Sequence, residues 1–98
     1  MKGKDMNPII FKRVAITAGT AVVINFDVSG VRKWLVKNLT DGDVYFGTSQ
    51  EKSEMILIPA GCAQIIDLSD AGPPFPSSFY VIGDSSSDKG VEVICQHY

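Results

Sequence analysis

The side chains able to do chemistry are few in this chain of 98 residues, which carries one histidine, His97, and two cysteines, Cys62 and Cys95. A Ser-His-Asp relay needs an imidazole held between a hydroxyl and a carboxylate. The sole imidazole instead stands beside the last residue of the sequence, a position expected to fray. Cys95 and His97 share a strand face through i, i+2 spacing and Cys62 could join them, but that spacing is no zinc-knuckle pattern and a fourth ligand is missing. Asp41 with Asp43, and Asp84 with Asp88, offer the loop carboxylates that a hard cation prefers, without the spacing of an EF-hand. Glu51 and Glu54 are paired acids, yet they sit in a polar connection, whereas glycoside hydrolysis needs two carboxyls flanking a cleft. No G-x-G-x-x-G, P-loop or H-E-x-x-H pattern occurs. The expectation is therefore no enzyme, no metal and no cofactor.

Binding chemistry is left. Trp34, Tyr45, Tyr80 and Tyr98 have the amphipathic rings that stack on sugars, so a small carbohydrate-binding module is the alternative reading, with core or interface packing the default for Trp34. The cysteines lie in separate apolar runs and read as buried reduced thiols; a disulfide between them is the minority case.

The elements that must position these residues read as strands. Between Trp34 and Asp67, four apolar runs are separated by Asp41-Gly42, by residues 50–53 and by Pro59-Ala60-Gly61, which predicts a four-stranded antiparallel unit. Asp-Gly favours a two-residue hairpin loop. In that register Leu35, Leu39, Val44 and Phe46 share one face and Trp34, Val36 and Tyr45 the other, so both faces are apolar and the second needs a cover. Residues 54–59 and 62–68 form the next hairpin pair, with Gln64, Ile66 and Leu68 on one side and Ala63, Ile65 and Asp67 on the other.

Upstream, Ile10, Val14 and Ile16 alternate with Phe11 and Arg13, and Val22, Ile24 and Phe26 alternate with Val23 and Asn25. Residues 1–8 are polar and read as a flexible N-terminal arm before a single domain over 9–98. The stretch 69–78 holds Pro73, Pro74, Phe75 and Pro76, which forbid a central strand and favour a stiff extended loop. Residues 79–82 and 91–96 close the chain around a polar hairpin loop, 83–90. The count is about eight short strands with no substantial helix, hence an all-β antiparallel sandwich or jelly roll.

Composition bounds the partners. Hydrophobic residues make up 45% and charged residues 20%, values of a globular chain. A net charge of -2 with scattered lysines and arginines gives no basic stripe for nucleic acid. No apolar run approaches a membrane span, and the first residues lack a signal-peptide core, so neither membrane insertion nor signal-directed secretion is expected.

Three pieces of the chain, Lys37-Asn38-Leu39-Thr40-Asp41-Gly42-Asp43, Ile56-Leu57-Ile58-Pro59-Ala60-Gly61 and Val91-Glu92-Val93, together resemble a pattern of small virion structural proteins of tailed bacteriophages and prophages. In that pattern a strand ending in K-N-x-T-D-G-D is followed by an acidic connection, an I-x-I-P-A-G turn and a V-E-V run. The resemblance implies a head-associated or accessory particle component, found in the host cytoplasm or assembled in the virion, with no catalytic residues to carry over. Its partners would be further copies of the chain or other virion proteins. Apart from that pattern, the second apolar face of the hairpin and the proline-rich stretch give the expected contact residues Trp34, Val36, Tyr45, Pro73, Pro74, Phe75 and Pro76.

Overall fold

Alternation of apolar and polar residues with a period of two turns most of the chain into strands, because successive side chains on a strand project to opposite faces. The computed structural model describes residues 9–26, 31–67 and 78–97. In chain order the strands are β1 (Ile9–Ile16), β2 (Val22–Asn25), β3 (Val31–Asn38), β4 (Val44–Gly47), β5 (Ile56–Ile58), β6 (Ala63–Asp67), β7 (Ser78–Gly83) and β8 (Ser87–His97). The one helical element among the described residues is a 3-10 turn, Lys52–Glu54. The expected N-terminal arm, residues 1–8, lies outside the described residues, as does most of the proline-rich stretch.

The strands form two four-stranded sheets, ordered β1-β8-β3-β6 and β2-β7-β4-β5, with antiparallel neighbours throughout. This is the strand order of an eight-stranded jelly roll. The alternations read for β1 and β2 hold: Ile16, Ile24 and Phe26 are buried, Ile10, Val14 and Val22 pack against them, and Phe11 and Val23 face out.

Pairing differs from the sequence reading. Among the described strands only β4 and β5 are consecutive and paired; every other step along the chain crosses between sheets. The expected Asp41-Gly42 hairpin is such a crossing, since β3 pairs with β6 and β8 while β4 pairs with β5 and β7. Likewise Pro59-Ala60-Gly61 joins β5 to β6 across the sandwich, and the connection before β8 shortens to residues 84–86. The reason is burial. A two-residue hairpin would turn Trp34 and Val36 away from Val44 and Phe46, whereas crossing to the opposite sheet points all four into one core, where each is at most 1% exposed.

Trp34 occupies the centre of that core. Its ring meets Phe79 edge-on at 4.0 Å between centroids, Phe26 at 4.8 Å and Phe46 at 6.5 Å, so one β3 side chain touches three aromatics from across the sandwich. Phe46 and Phe79 stack at 4.7 Å. Such pairs add to the free energy of area burial.

The crossing from β3 to β4 is closed by a buried polar network around Asn38. Its Nδ2 donates to the carbonyl oxygens of Gly42 and Ile58, both at 2.8 Å. Its Oδ1 accepts from the Thr40 amide at 2.9 Å and from the Thr40 hydroxyl at 2.7 Å. The backbone of Asn38 joins the next corner, donating to the Cys62 carbonyl at 2.9 Å and accepting from the Gly61 amide at 3.1 Å. Gly61 sits at the third position of the Pro59-to-Cys62 turn with φ of 74°, a conformation that glycine adopts without a Cβ clash.

A second tight point is the β1–β8 bulge. The pairing moves two residues on β1, from Val14 to Ile16, while β8 moves from Val91 to Ser87. Gly90 takes φ of 59° there, and any Cβ would be driven into the Val14 carbonyl oxygen. Its own carbonyl accepts from the Leu39 amide at 2.9 Å, tying the bulge to the Asn38 corner.

Replacing Asn38 with alanine strands the Ile58 carbonyl and the Thr40 amide inside the fold, while the Gly42 carbonyl keeps the Thr40 hydroxyl at 2.9 Å. At about 1–3 kcal/mol for each unsatisfied group, the loss should be about 2 kcal/mol or more. Urea unfolding should show it as a lower midpoint with an unchanged slope; a shift below about 1 kcal/mol would mean that the corner is held by other groups.

Candidate functional site: the outer face of the first sheet

The pairing of the first sheet lines its outward residues into rows. Phe11 on β1 lies opposite Ile94 on β8, Ile94 opposite Leu35 on β3, and Leu35 opposite Ile65 on β6. An apolar stripe thus crosses all four strands on the side away from the core. At its ends Phe11 is 65% and Ile65 57% exposed, while Leu35 and Ile94 in the middle are half-buried. A shallow depression of about 220 Å³ lies between Ile94, Leu35 and Ile65 of the stripe and the Ile9, Gln96 and Lys33 row, with Trp34 and Cys95 also in its lining.

Rows that carry charged residues, each ending on one apolar residue, flank the stripe. On one side stand Ile9, Gln96, Lys33 and Asp67; on the other stand Arg13, Glu92, Lys37 and Ala63. The second row holds an ion ladder: Glu92 meets Arg13 Nη2 at 2.8 Å through Oε2 and Lys37 Nζ at 3.2 Å through Oε1. The Arg13 hydrogen bond, followed by that of Lys37, lowers the Glu92 carboxyl below its ordinary value of 4.5. Opposite charges on adjacent strands support the pairing, although exposed pairs each contribute little.

This site was not singled out from the sequence. Phe11 and Ile65 fall on the off-core side of their strands, which was legible, but the row they make with Leu35 and Ile94 depends on β1-β8-β3-β6 pairing between strands distant in the chain. The expected contact residues are placed elsewhere. Trp34 and Val36 are fully buried between the sheets, so they have no surface to offer a partner in the folded chain. Tyr45 is half-buried on the outer face of the second sheet, opposite Ile82 and Leu57. Its ring is capped by Lys52 Nζ at 4.6 Å, which also meets Asp84 at 3.4 Å. Pro73, Pro74, Phe75 and Pro76 lie outside the described residues. Of the other aromatics, Tyr80 is half-buried opposite Val23, and Tyr98 lies outside the described residues.

The reactive groups do not converge. Among the described residues no three His, Cys, Asp or Glu side chains gather where they could hold a metal ion. Both cysteines are free, and Cys62 is exposed, not buried as expected, because it follows the Gly61 turn and precedes β6 at the rim of the sandwich. Cys95 is buried on β8, and desolvation pushes its thiol up, so it stays protonated and unreactive. Among the described residues no helix is long and apolar enough to cross a membrane.

Compared with known proteins, the chain matches no family model, no curated protein and no solved structure. The surface must therefore be read on its own chemistry.

Two outcomes follow from these placements. A thiol reagent should label one cysteine per native chain, Cys62, and two after denaturation; two labelled native thiols would contradict the burial of Cys95. For Glu92 the native pKa is lowered, so its contribution is full above the ordinary 4.5 and is lost as pH falls through the lowered native value. Glu92→Gln should therefore cost stability at neutral pH and flatten the acid limb of the stability curve below 4.5; an unaltered acid limb would show that the ladder does not act.

Proposed function

We propose that this chain is a non-enzymatic structural protein that works by assembly, docking through the outer face of the β1-β8-β3-β6 sheet, and that its setting is the accessory layer of a tailed-phage or prophage particle. The observation that carries the docking surface is the row Phe11, Ile94, Leu35 and Ile65, unbroken across four strands and bordered on both sides by rows that carry charged residues. An antiparallel sheet with one solvated face ordinarily alternates apolar inward and polar outward. Here the central outward row is apolar, and an apolar core with a polar rim is the anatomy of a protein interface. The phage setting draws on the Lys37-to-Asp43, Ile56-to-Gly61 and Val91-to-Val93 pieces, and on a jelly-roll architecture that serves capsid proteins among other roles.

Particles purified from cells that encode the chain should contain it at a fixed ratio to the major shell protein. Phe11→Asp and Ile65→Asp should each remove it from the particle while shifting its melting temperature by no more than about 3 °C, since both side chains are largely exposed. Particles that lack the wild-type chain, or that retain both variants at full ratio, would overturn the reading.

A further inference from the structure

The occupant of this face can be argued from its charges. Resting on the assembly reading above, we infer that the outer face of the first sheet packs on the same face of a second copy, about a two-fold axis parallel to the strands and lying between β8 and β3. That axis keeps each row facing its own row while reversing the strand order from β1-β8-β3-β6 to β6-β3-β8-β1. Phe11 then meets Ile65 of the second copy, and Ile94 meets Leu35. In the charged row Glu92 meets Lys37 of the second copy, and its own Lys37 meets the copy's Glu92. In the other row Lys33 meets Gln96 and Ile9 meets Asp67, so no like charges are opposed.

The competing two-fold, running across the strands, fails this test. It keeps the strand order and reverses the rows, which sets Lys33 over Lys37 and Glu92 over Gln96. Like charges brought together in an interface are strongly unfavourable. Both axes would superpose the stripe on itself; the flanking charges select one. Twisted sheets packed face to face adopt an offset of about 30°, which a modest tilt of the strand-parallel axis provides.

The size of the face sets the strength. β8 lies over β3 for about eight residues but β1 lies over β6 for only the five of β6, so strands spaced about 4.8 Å apart with about 3.3 Å per residue give roughly 400 Å² per copy. Two copies together bury roughly 800 Å², the size of a weak contact, so the pair forms in a concentration-dependent way.

Sedimentation velocity on the purified full chain, over a range of concentrations, tests this directly. The wild type should pass from monomer to dimer in the micromolar range. Phe11→Asp and Ile65→Asp should each weaken the dimer by at least about tenfold, with melting temperature as the check that the fold survives. Lys37→Glu discriminates the axis: with the strand-parallel two-fold the new carboxylate faces Glu92 of the second copy and the dimer weakens by about tenfold, whereas with the cross-strand axis it faces Lys33 and the dimer tightens. A wild type that stays monomeric at the highest concentration, a Lys37→Glu variant that tightens, or a dimer indifferent to both apolar substitutions overturns the inference. A monomeric wild type whose Phe11→Asp form is also lost from particles would sink the two-fold pair alone, leaving a different protein on the face.

Discussion

The fold hangs on a single carboxamide. Where a strand leaves one sheet and enters the other, its backbone groups lose their ladder partners and must find others inside the protein. Asn38 supplies them because its side chain is a peptide group on a short tether, one acceptor and two donors, aimed at Thr40, Gly42 and Ile58. Its backbone meanwhile binds Gly61 and Cys62, and the adjoining Leu39 binds Gly90. Three stretches far apart in sequence therefore meet at one end of the sandwich: the K-N-L-T-D-G-D crossing, the I-L-I-P-A-G turn and the start of the V-E-V run. The corner uses an amide at Asn38, a turn glycine at Gly61 and a close-approach glycine at Gly90, the residue before the V-E-V run.

The remainder of the core follows from that corner. Once β3 and β4 belong to opposite sheets, Trp34 and Val36 face Val44 and Phe46 across the interior, and the aromatic cluster of Trp34, Phe26, Phe46 and Phe79 ties the layers together. The Gly90 bulge performs the corresponding task on β8, letting one long strand follow β1 past a change of register. With a single local hairpin among the described strands, nearly all pairing is between segments distant in sequence, a topology in which loop-closure entropy is lost before the contacts form.

Strand identity was legible because period-two burial is local: Ile10, Val14 and Ile16 declare their face without reference to any partner. Partnership was not. Asp41-Gly42 has ideal hairpin chemistry, and nothing in its composition distinguishes a two-residue reversal within a sheet from a crossing between sheets; Asn38, which decides the matter, reads from sequence as one more turn-forming residue. The same limit hid the candidate site. Leu35 lies between Trp34 and Val36 in a run that is apolar at every position, so parity could not say which residues were core, and the expectation fell on Trp34 and Val36, the two that are fully buried. The proline-rich contact residues lie outside the described residues, so the structure does not bear on them.

Magnitudes explain why an apolar stripe can persist on the outside of a small sandwich. If roughly half of a roughly 800 Å² face-to-face contact is apolar, its burial at about 25 cal/mol per Å² is favourable by roughly 10 kcal/mol. Lost translational and rotational freedom opposes this by about 4–15 kcal/mol. The two are of comparable size, so the stripe by itself would support at most a weak, concentration-dependent pair. The ion ladder then has a definite physical role. Glu92 between Arg13 and Lys37 contributes little to the stability of one chain, yet in the proposed pair it would set which rows face each other and so make a weakly adhesive strip directional. The outer face of the second sheet, where Val23 is 54% and Leu57 49% exposed beside Tyr80 and Tyr45, gives the chain a second apolar surface on its opposite side.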